Sequence, residues 1–207
     1  MPTSIKFWNK RAHKYDRKLY KGPNYAARLE RAAAVFGENA NVLDVGCATG
    51  EITLDLAQHA GQILGIDHAV NMTDAGNAKA KERGIGNCRF EPWDANDPSL
   101  APGSFDVVTN YSLLHLVDDP KATIHRFHEL LKPGGHLLTE APLLGDWNPL
   151  WRVLIGLAVF VGMCPKIDAL KLIQLEKMIA NTGFEVLDSS VYNPKSGMHC
   201  ILARKRQ

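Results

Sequence analysis

Asp44, Gly46 and Gly50 stand in the stretch Val42-Leu43-Asp44-Val45-Gly46-Cys47-Ala48-Thr49-Gly50-Glu51, and their spacing limits what the turn between them can hold. Apolar β-type residues run into an acid, then two glycines, then a helix-like segment from Ile52 to His59. Glycine lets backbone approach a ligand that a side chain would exclude, which is how nucleotide-binding α/β domains use a strand–turn–helix. Asp67 ends the next apolar run, Gln62 to Ile66, near the roughly 20-residue offset at which such folds place a ribose-binding carboxylate. Gly46-x-x-x-Gly50 is not the dinucleotide pattern G-x-G-x-x-G, and no Lys-Ser/Thr pair follows it as in a phosphate-binding loop. An acid two residues before the first glycine sits badly beside a pyrophosphate but suits a cation. The turn therefore fits a positively charged nucleoside such as S-adenosylmethionine.

The resemblance is wider than one turn. Asp44 to Gly50, Asp67, Asp94, Phe105-Asp106-Val107-Val108 and Leu131-Lys132-Pro133-Gly134-Gly135 occur in the order seen in class I S-adenosylmethionine-dependent methyltransferases. Over roughly residues 5 to 205 the chain resembles their small-molecule branch, which includes the quinone-biosynthesis methyltransferases. That resemblance implies roles. Asp44 would face the ammonium of the cofactor through water, with Gly46, Cys47 and Gly50 forming the turn beside its amino-acid tail. Asp67, followed by His68, would take the ribose hydroxyls. Met72 would pack on adenine, unless it is a core methionine. Asp94 would accept from the adenine amino group and Ala95 would add a backbone contact, while Asn110 would border the tail and methyl group. Tyr15 lies in the Phe7 to Asp16 stretch, similar to the segment that closes over the cofactor in this branch. Asp106 starts its strand, remote from the ligand edge, and is expected to be structural.

Methyl transfer needs little covalent help, because a sulfonium is already electrophilic. Alignment of an acceptor with it can supply up to roughly 7–11 kcal/mol. An acceptor with a proton to lose can also use a base, typically worth about 10²–10⁴-fold. His115, five residues past strand four, has the ordinary pKa for that role, and Tyr111 is an alternative acid/base or substrate-facing ring. Strand four runs into Asn110-Tyr111-Ser112-Leu113 rather than the Asn/Asp-Pro-Pro-Tyr loop that grips a planar amino group, and no Pro-Cys pair offers a covalent nucleophile. These absences argue against a nucleic-acid substrate.

Positioning these groups requires an α/β sheet. Strands are predicted at 41–45, 62–67, 87–92, 105–110 and 135–141, alternating with helices at 50–59, 70–83 and 119–131. Such alternation predicts parallel strands with helices on both faces. A helix from about Ala169 to Gly183 precedes two further strands, 184–192 and 198–204, joined by a hairpin loop at 193–197. The expected architecture is a Rossmann-like seven-stranded, mostly parallel sheet with a terminal antiparallel hairpin, in one domain. Helices at 4–20 and 25–36, split at Gly22-Pro23, would form an N-terminal cap. An insertion at about 143–167 carries a helix that is apolar nearly all round, with Trp147, Trp151, Phe160 and Met163. Such a helix is usually buried. As a lid over the acceptor it would select a lipophilic small molecule: a quinone precursor, lipid or apolar secondary metabolite.

The chain has 207 residues and a formal net charge of +2, so it offers no general attraction to polyanions. Nine Lys/Arg against two acids fall in residues 1 to 31, which reads either as a solvated helix face or as a basic edge toward an anionic substrate or lipid surface. With the apolar insertion, such an edge would allow loose membrane association. The uncharged run from Val153 to Cys164 is short of the roughly 20 residues that span a bilayer. Four scattered cysteines form no C-x-x-C pair, which predicts no metal site, and no apolar signal segment opens the chain, so a cytoplasmic location is expected. The competing reading is a non-catalytic module that binds S-adenosylmethionine or its product S-adenosylhomocysteine in a regulatory or scaffolding role.

Overall fold

The computed structural model describes residues 3–18, 23–160, 164–165, 167–191 and 198–207. Seven strands form one sheet in the order β3-β2-β1-β4-β5-β7-β6. They are β1 (Asn41–Val45), β2 (Gln62–Ile66), β3 (Cys88–Glu91), β4 (Phe105–Tyr111), β5 (Leu131–Pro142), β6 (Phe184–Val191) and β7 (Met198–Lys205). β1 to β5 pair in parallel; β7 runs antiparallel between β5 and β6. The chain order turns back between β1 and β4, and crevices at such switch points take the ligand beyond the strands' carboxyl ends.

Period-2 alternation in β1 assigns the faces. Val42 joins Ile63, Val107, Leu138 and Cys200 in a core with Phe36, Leu54 and Leu56, under α2 (Pro23–Val35) and α3 (Glu51–Leu56). Leu43 joins Leu64, Val108, Leu137 and Ile201 on the opposite face, with Ile124, Phe127, Leu175 and Ile179 of α5 (Pro120–Leu130) and α7 (Leu172–Asn181). α5 starts where Asp119 caps it, its carboxylate accepting the N–H of Ala122 at 2.9 Å with Pro120 in the first turn. α1 (Thr3–Tyr15) and α4 (Val70–Glu82) pack together.

Several boundaries differ from expectation. The helix expected to run to residue 59 ends at Leu56, and a 3-10 turn continues to His59. β5 begins at Leu131, before Pro133-Gly134-Gly135, with a register shift opposite Phe105–Val107; the bulge absorbs the proline and Gly134, which has φ +75°. α7 starts at Leu172 because the preceding chain is tied elsewhere: Asp168 N–H donates to the carbonyl of His115 at 2.8 Å. The Gly22 breaker, the 193–197 loop and Met163 lie outside the described residues. Among those described, no helix is long and apolar enough to cross a membrane.

The largest correction concerns α6 (Pro149–Phe160) in the insertion. Two readings of this apolar helix were open, buried core or acceptor lid, and the core reading does not hold for its stripe: Leu150, Val153, Leu157 and Phe160 are 65%, 60%, 56% and 87% exposed. Ile155, Ala158 and Val159, between the exposed positions, are half-buried, so the helix is apolar on its solvent side as well as on its inner one.

Candidate cofactor site

The turn after β1 is a strained piece of backbone. Gly46 and Gly50 have φ of +73° and +75°, and Ala48 is left-handed too, at +49°. Only glycine adopts such angles without steric cost. The turn is held to β2 by N–H groups of Gly46 and Cys47 donating to the carbonyl of Ile66 at 2.8 and 3.0 Å. Asp67 completes the clamp: its carboxylate accepts the N–H of Ala48 at 3.2 Å and of Ala69 at 2.9 Å. Burial pushes the Asp67 carboxyl above its ordinary pKa, opposed by those N–H groups and by the charge of His68.

Asp44 sits beneath the same turn, 3% exposed, and accepts hydrogen bonds from the hydroxyls of Thr53 (2.5 Å) and Thr109 (3.0 Å). Burial raises its pKa to about 6, although both hydroxyls pull the other way. A cavity of about 40 Å³ lies here, lined by Tyr15, Asp44, Gly46, Cys47, Ala48, Thr49, Glu51, Ile52 and Tyr111. Tyr15 comes from the N-terminal segment, which packs Trp8, Ala12 and Tyr15 on Ala48, Ala69 and Met72. Asp16 holds that segment in place through the Thr49 hydroxyl and Lys79.

The structure thus brings together Tyr15, Asp44, Gly46, Cys47, Tyr111, Asp67, Met72 and Gly50, the last through the turn. Others stand apart. Asp94 is exposed and its carboxylate accepts the N–H of Asn96 at 2.6 Å, an ordinary loop arrangement. The Ala95 carbonyl is taken by Arg126 Nε at 2.9 Å. His68 is exposed. Asn110 and Tyr111 alternate along β4, so they face opposite sides of the sheet. Tyr111 lines the cavity, whereas Asn110 is fully buried on the other side, its Oδ1 accepting from Thr139. Its Nδ2 and the Nδ1 of His115 are buried with no hydrogen-bond partner among the described residues. His115 was expected to titrate near neutrality. Burial instead lowers its pKa to about 4, so the imidazole is neutral at pH 7 and a weak base. Asp106 is structural as expected, salt-bridged to Lys132 at 2.8 Å and accepting the N–H of Asn41.

Three features escaped the sequence reading. Thr53 and Thr109 hold Asp44. Arg28, one of nine cations in the first 31 residues, is not on a solvated face: it forms a two-point salt bridge with Glu140, fully buried on β5. Its neighbour Arg31 is partly exposed and reaches β6, pairing with Asp188 and donating to Ser190 Oγ at 2.8 Å. The only available signal was a glutamate, Glu140, in an otherwise apolar strand end.

The donor set fits a cationic nucleoside: buried or half-buried carboxylates and no phosphate cradle. Asp44 then carries a pH signature. Above pH 6 it is ionised and attracts a cation; as pH falls through about 6 it takes a proton and the attraction goes. Titration calorimetry should therefore show S-adenosylmethionine affinity declining between pH 7 and pH 5. Asp44→Asn should bind weakly throughout with a flatter profile, and an unaltered profile would remove Asp44 from the ligand's surroundings.

Residues 42–135 match the family described as a methyltransferase domain. The chain is 29% identical over 154 residues to a ubiquinone biosynthesis O-methyltransferase of Photorhabdus laumondii, covering 73% of this chain and 62% of the relative. It is 37% identical over 114 residues to the nocamycin O-methyltransferase of Saccharothrix syringae, covering 52% and 41%. The chain thus spans less than two thirds of the length of these curated relatives. A SAM-dependent methyltransferase from Methanosarcina mazei shares the fold, with TM-score 0.70 at 20% identity over 85% of this chain and 97% of that one. Sheet order, glycine turn and domain match coincide on the same residues, so residues 42–135 are those of a methyltransferase domain, and the chain is similar there to the ubiquinone-biosynthesis O-methyltransferases.

Proposed function

We propose that this protein binds S-adenosylmethionine at the β1–β2–β4 edge and transfers its methyl group to a small lipophilic acceptor. The observation that carries the acceptor class is α6. Its exposed stripe of Leu150, Val153, Leu154, Leu157 and Phe160 comes after β5 and the short turn Leu144–Asp146, and an apolar surface that water must cover is costly unless something apolar uses it. The named activities of the two relatives support an oxygen as the methylated atom.

Within this reading Asp67 orients the ribose, Asp44 supplies negative charge toward the tail, and the glycine turn admits the tail's backbone contacts. S-adenosylmethionine, when bound, supplies the activated methyl. Small-molecule pockets run to about 300–1,000 Å³, against about 40 Å³ here, so loading needs Tyr15, on the cavity wall, to move aside. A neutral, weakly basic His115 leaves alignment rather than proton abstraction as the main source of acceleration. The apolar stripe would also let the protein rest loosely on a lipid surface that holds its acceptor.

The test is turnover of a panel of quinone-like phenols and apolar metabolites, repeated on Leu157→Ser and Phe160→Ala. Because both side chains are exposed, melting should shift little, equivalent to about 0.5 kcal/mol or less. KM for the acceptor should rise severalfold while cofactor affinity holds. A large fall in melting temperature with unchanged KM would make α6 a structural helix and leave the acceptor class unsupported. Cofactor binding without turnover of any acceptor would favour a binding module over an enzyme.

A further inference from the structure

Arg28 brings positive charge to the wall of a cavity whose ligand is itself a cation. Its guanidinium carbon lies 5.5 Å above the ring of Tyr111, which lines the cavity. The same charge reaches Asp44 and Tyr15 on the other walls and favours their ionised forms. A sulfonium placed there would meet a like charge, and in a half-buried site one uncompensated unit charge is worth about tenfold or more in affinity.

Glu140 removes that conflict. It is fully buried near the carboxyl end of β5, and its two oxygens accept from Arg28 Nε, at 2.7 Å, and Nη2. Strand packing gives no reason for a carboxylate: Leu138, on the same face of β5, and Cys200, its partner across the sheet, belong to the apolar core. Burying a carboxylate is unfavourable unless it is paired in good geometry, and here the pair is two-pronged.

We propose that Glu140 is a positioning residue that holds Arg28 as a neutral pair beside Tyr111, so that the site accepts the sulfonium of S-adenosylmethionine and separates it from the uncharged thioether of S-adenosylhomocysteine. This rests on the cavity at Gly46–Gly50 being the cofactor site. The pair spans α2 and β5, and neither of its residues lines the cavity. Its influence on the ligand is therefore electrostatic, through Arg28, rather than by contact.

The ratio of the two ligands' dissociation constants tests this, since a strut would move both alike. Calorimetry on Glu140→Gln should show S-adenosylmethionine weakened about tenfold more than S-adenosylhomocysteine, the effect of removing one negative unit charge. The double variant Arg28→Met, Glu140→Leu, which removes both charges, should restore the wild-type ratio. Equal losses for the two ligands in Glu140→Gln would overturn the proposal. Should that variant fold poorly, Arg28→Met, which removes the positive member of the pair, should shift the ratio toward S-adenosylmethionine; an unchanged or reversed ratio overturns it. A wild-type protein that binds neither ligand would instead remove the cofactor assignment, a separate failure.

Discussion

Replacing Asp67 with alanine is expected to weaken S-adenosylmethionine binding by about 1.5–3 kcal/mol, the range for hydrogen bonds to a charged group. That is roughly a 10- to 150-fold rise in the dissociation constant. Two effects add in the same direction. The ribose loses its acceptor, and the turn loses the clamp on Ala48 N–H, whose residue is held at φ +49°. Asp67→Asn separates them, because its amide oxygen can still accept from one backbone N–H while the charge is gone. Calorimetry on both variants, with a melt to confirm folding, gives the answer. Unchanged affinity in a folded Asp67→Ala would place the nucleoside elsewhere and undo the register of the whole site.

The parts of this site that were legible in the sequence are those that backbone geometry dictates. Glycine at 46 and 50 reports left-handed backbone, and an acid at the end of an apolar run reports a strand end, so Asp44 and Asp67 could be placed without coordinates. Pairings between distant elements could not. Nothing in the string distinguishes Arg28 from the eight other cations of the first 31 residues until α2 lies across β5 and finds Glu140. Asn110 and Tyr111 were both assigned to the site although adjacent strand residues face opposite ways; only the sheet's packing decides which of the two looks into the cavity. Periodicity left α6 open between core and lid, because an apolar pattern describes what a helix would bury and not whether anything is there to cover it. His115 shows the same limit in electrostatics. Its position was read correctly as just past β4, but its pKa depends on a burial that the fold alone supplies.

Gly50 is the position at which the smallest change should cost most. The sequence assigns it to the ligand, yet the structure gives it a second duty. Phe90, 2% exposed on β3, lays its ring against three glycines, Gly50, Gly65 and Gly76, and a Cβ at Gly50 would lie 2.5 Å from the ring's Cζ. No Cβ contact is that short, and the neighbour is the body of a buried ring rather than the end of a flexible chain. Gly50→Ala also pays for a left-handed residue at φ +75°, about 1–2 kcal/mol. Overpacking adds typically 1–3 kcal/mol, so the variant should lose about 2–5 kcal/mol of stability and most of its cofactor affinity. The two causes can be told apart by shrinking the ring. Gly50→Ala with Phe90→Leu relieves the clash but not the backbone strain, and should recover the larger share of the loss if packing dominates. Melting curves and calorimetry on the single and double variants measure that share. A Gly50→Ala protein as stable as wild type would mean that the turn relaxes away from Phe90, and the tight fit of the turn, β2 and α4 around that ring would then not be what shapes the cofactor site.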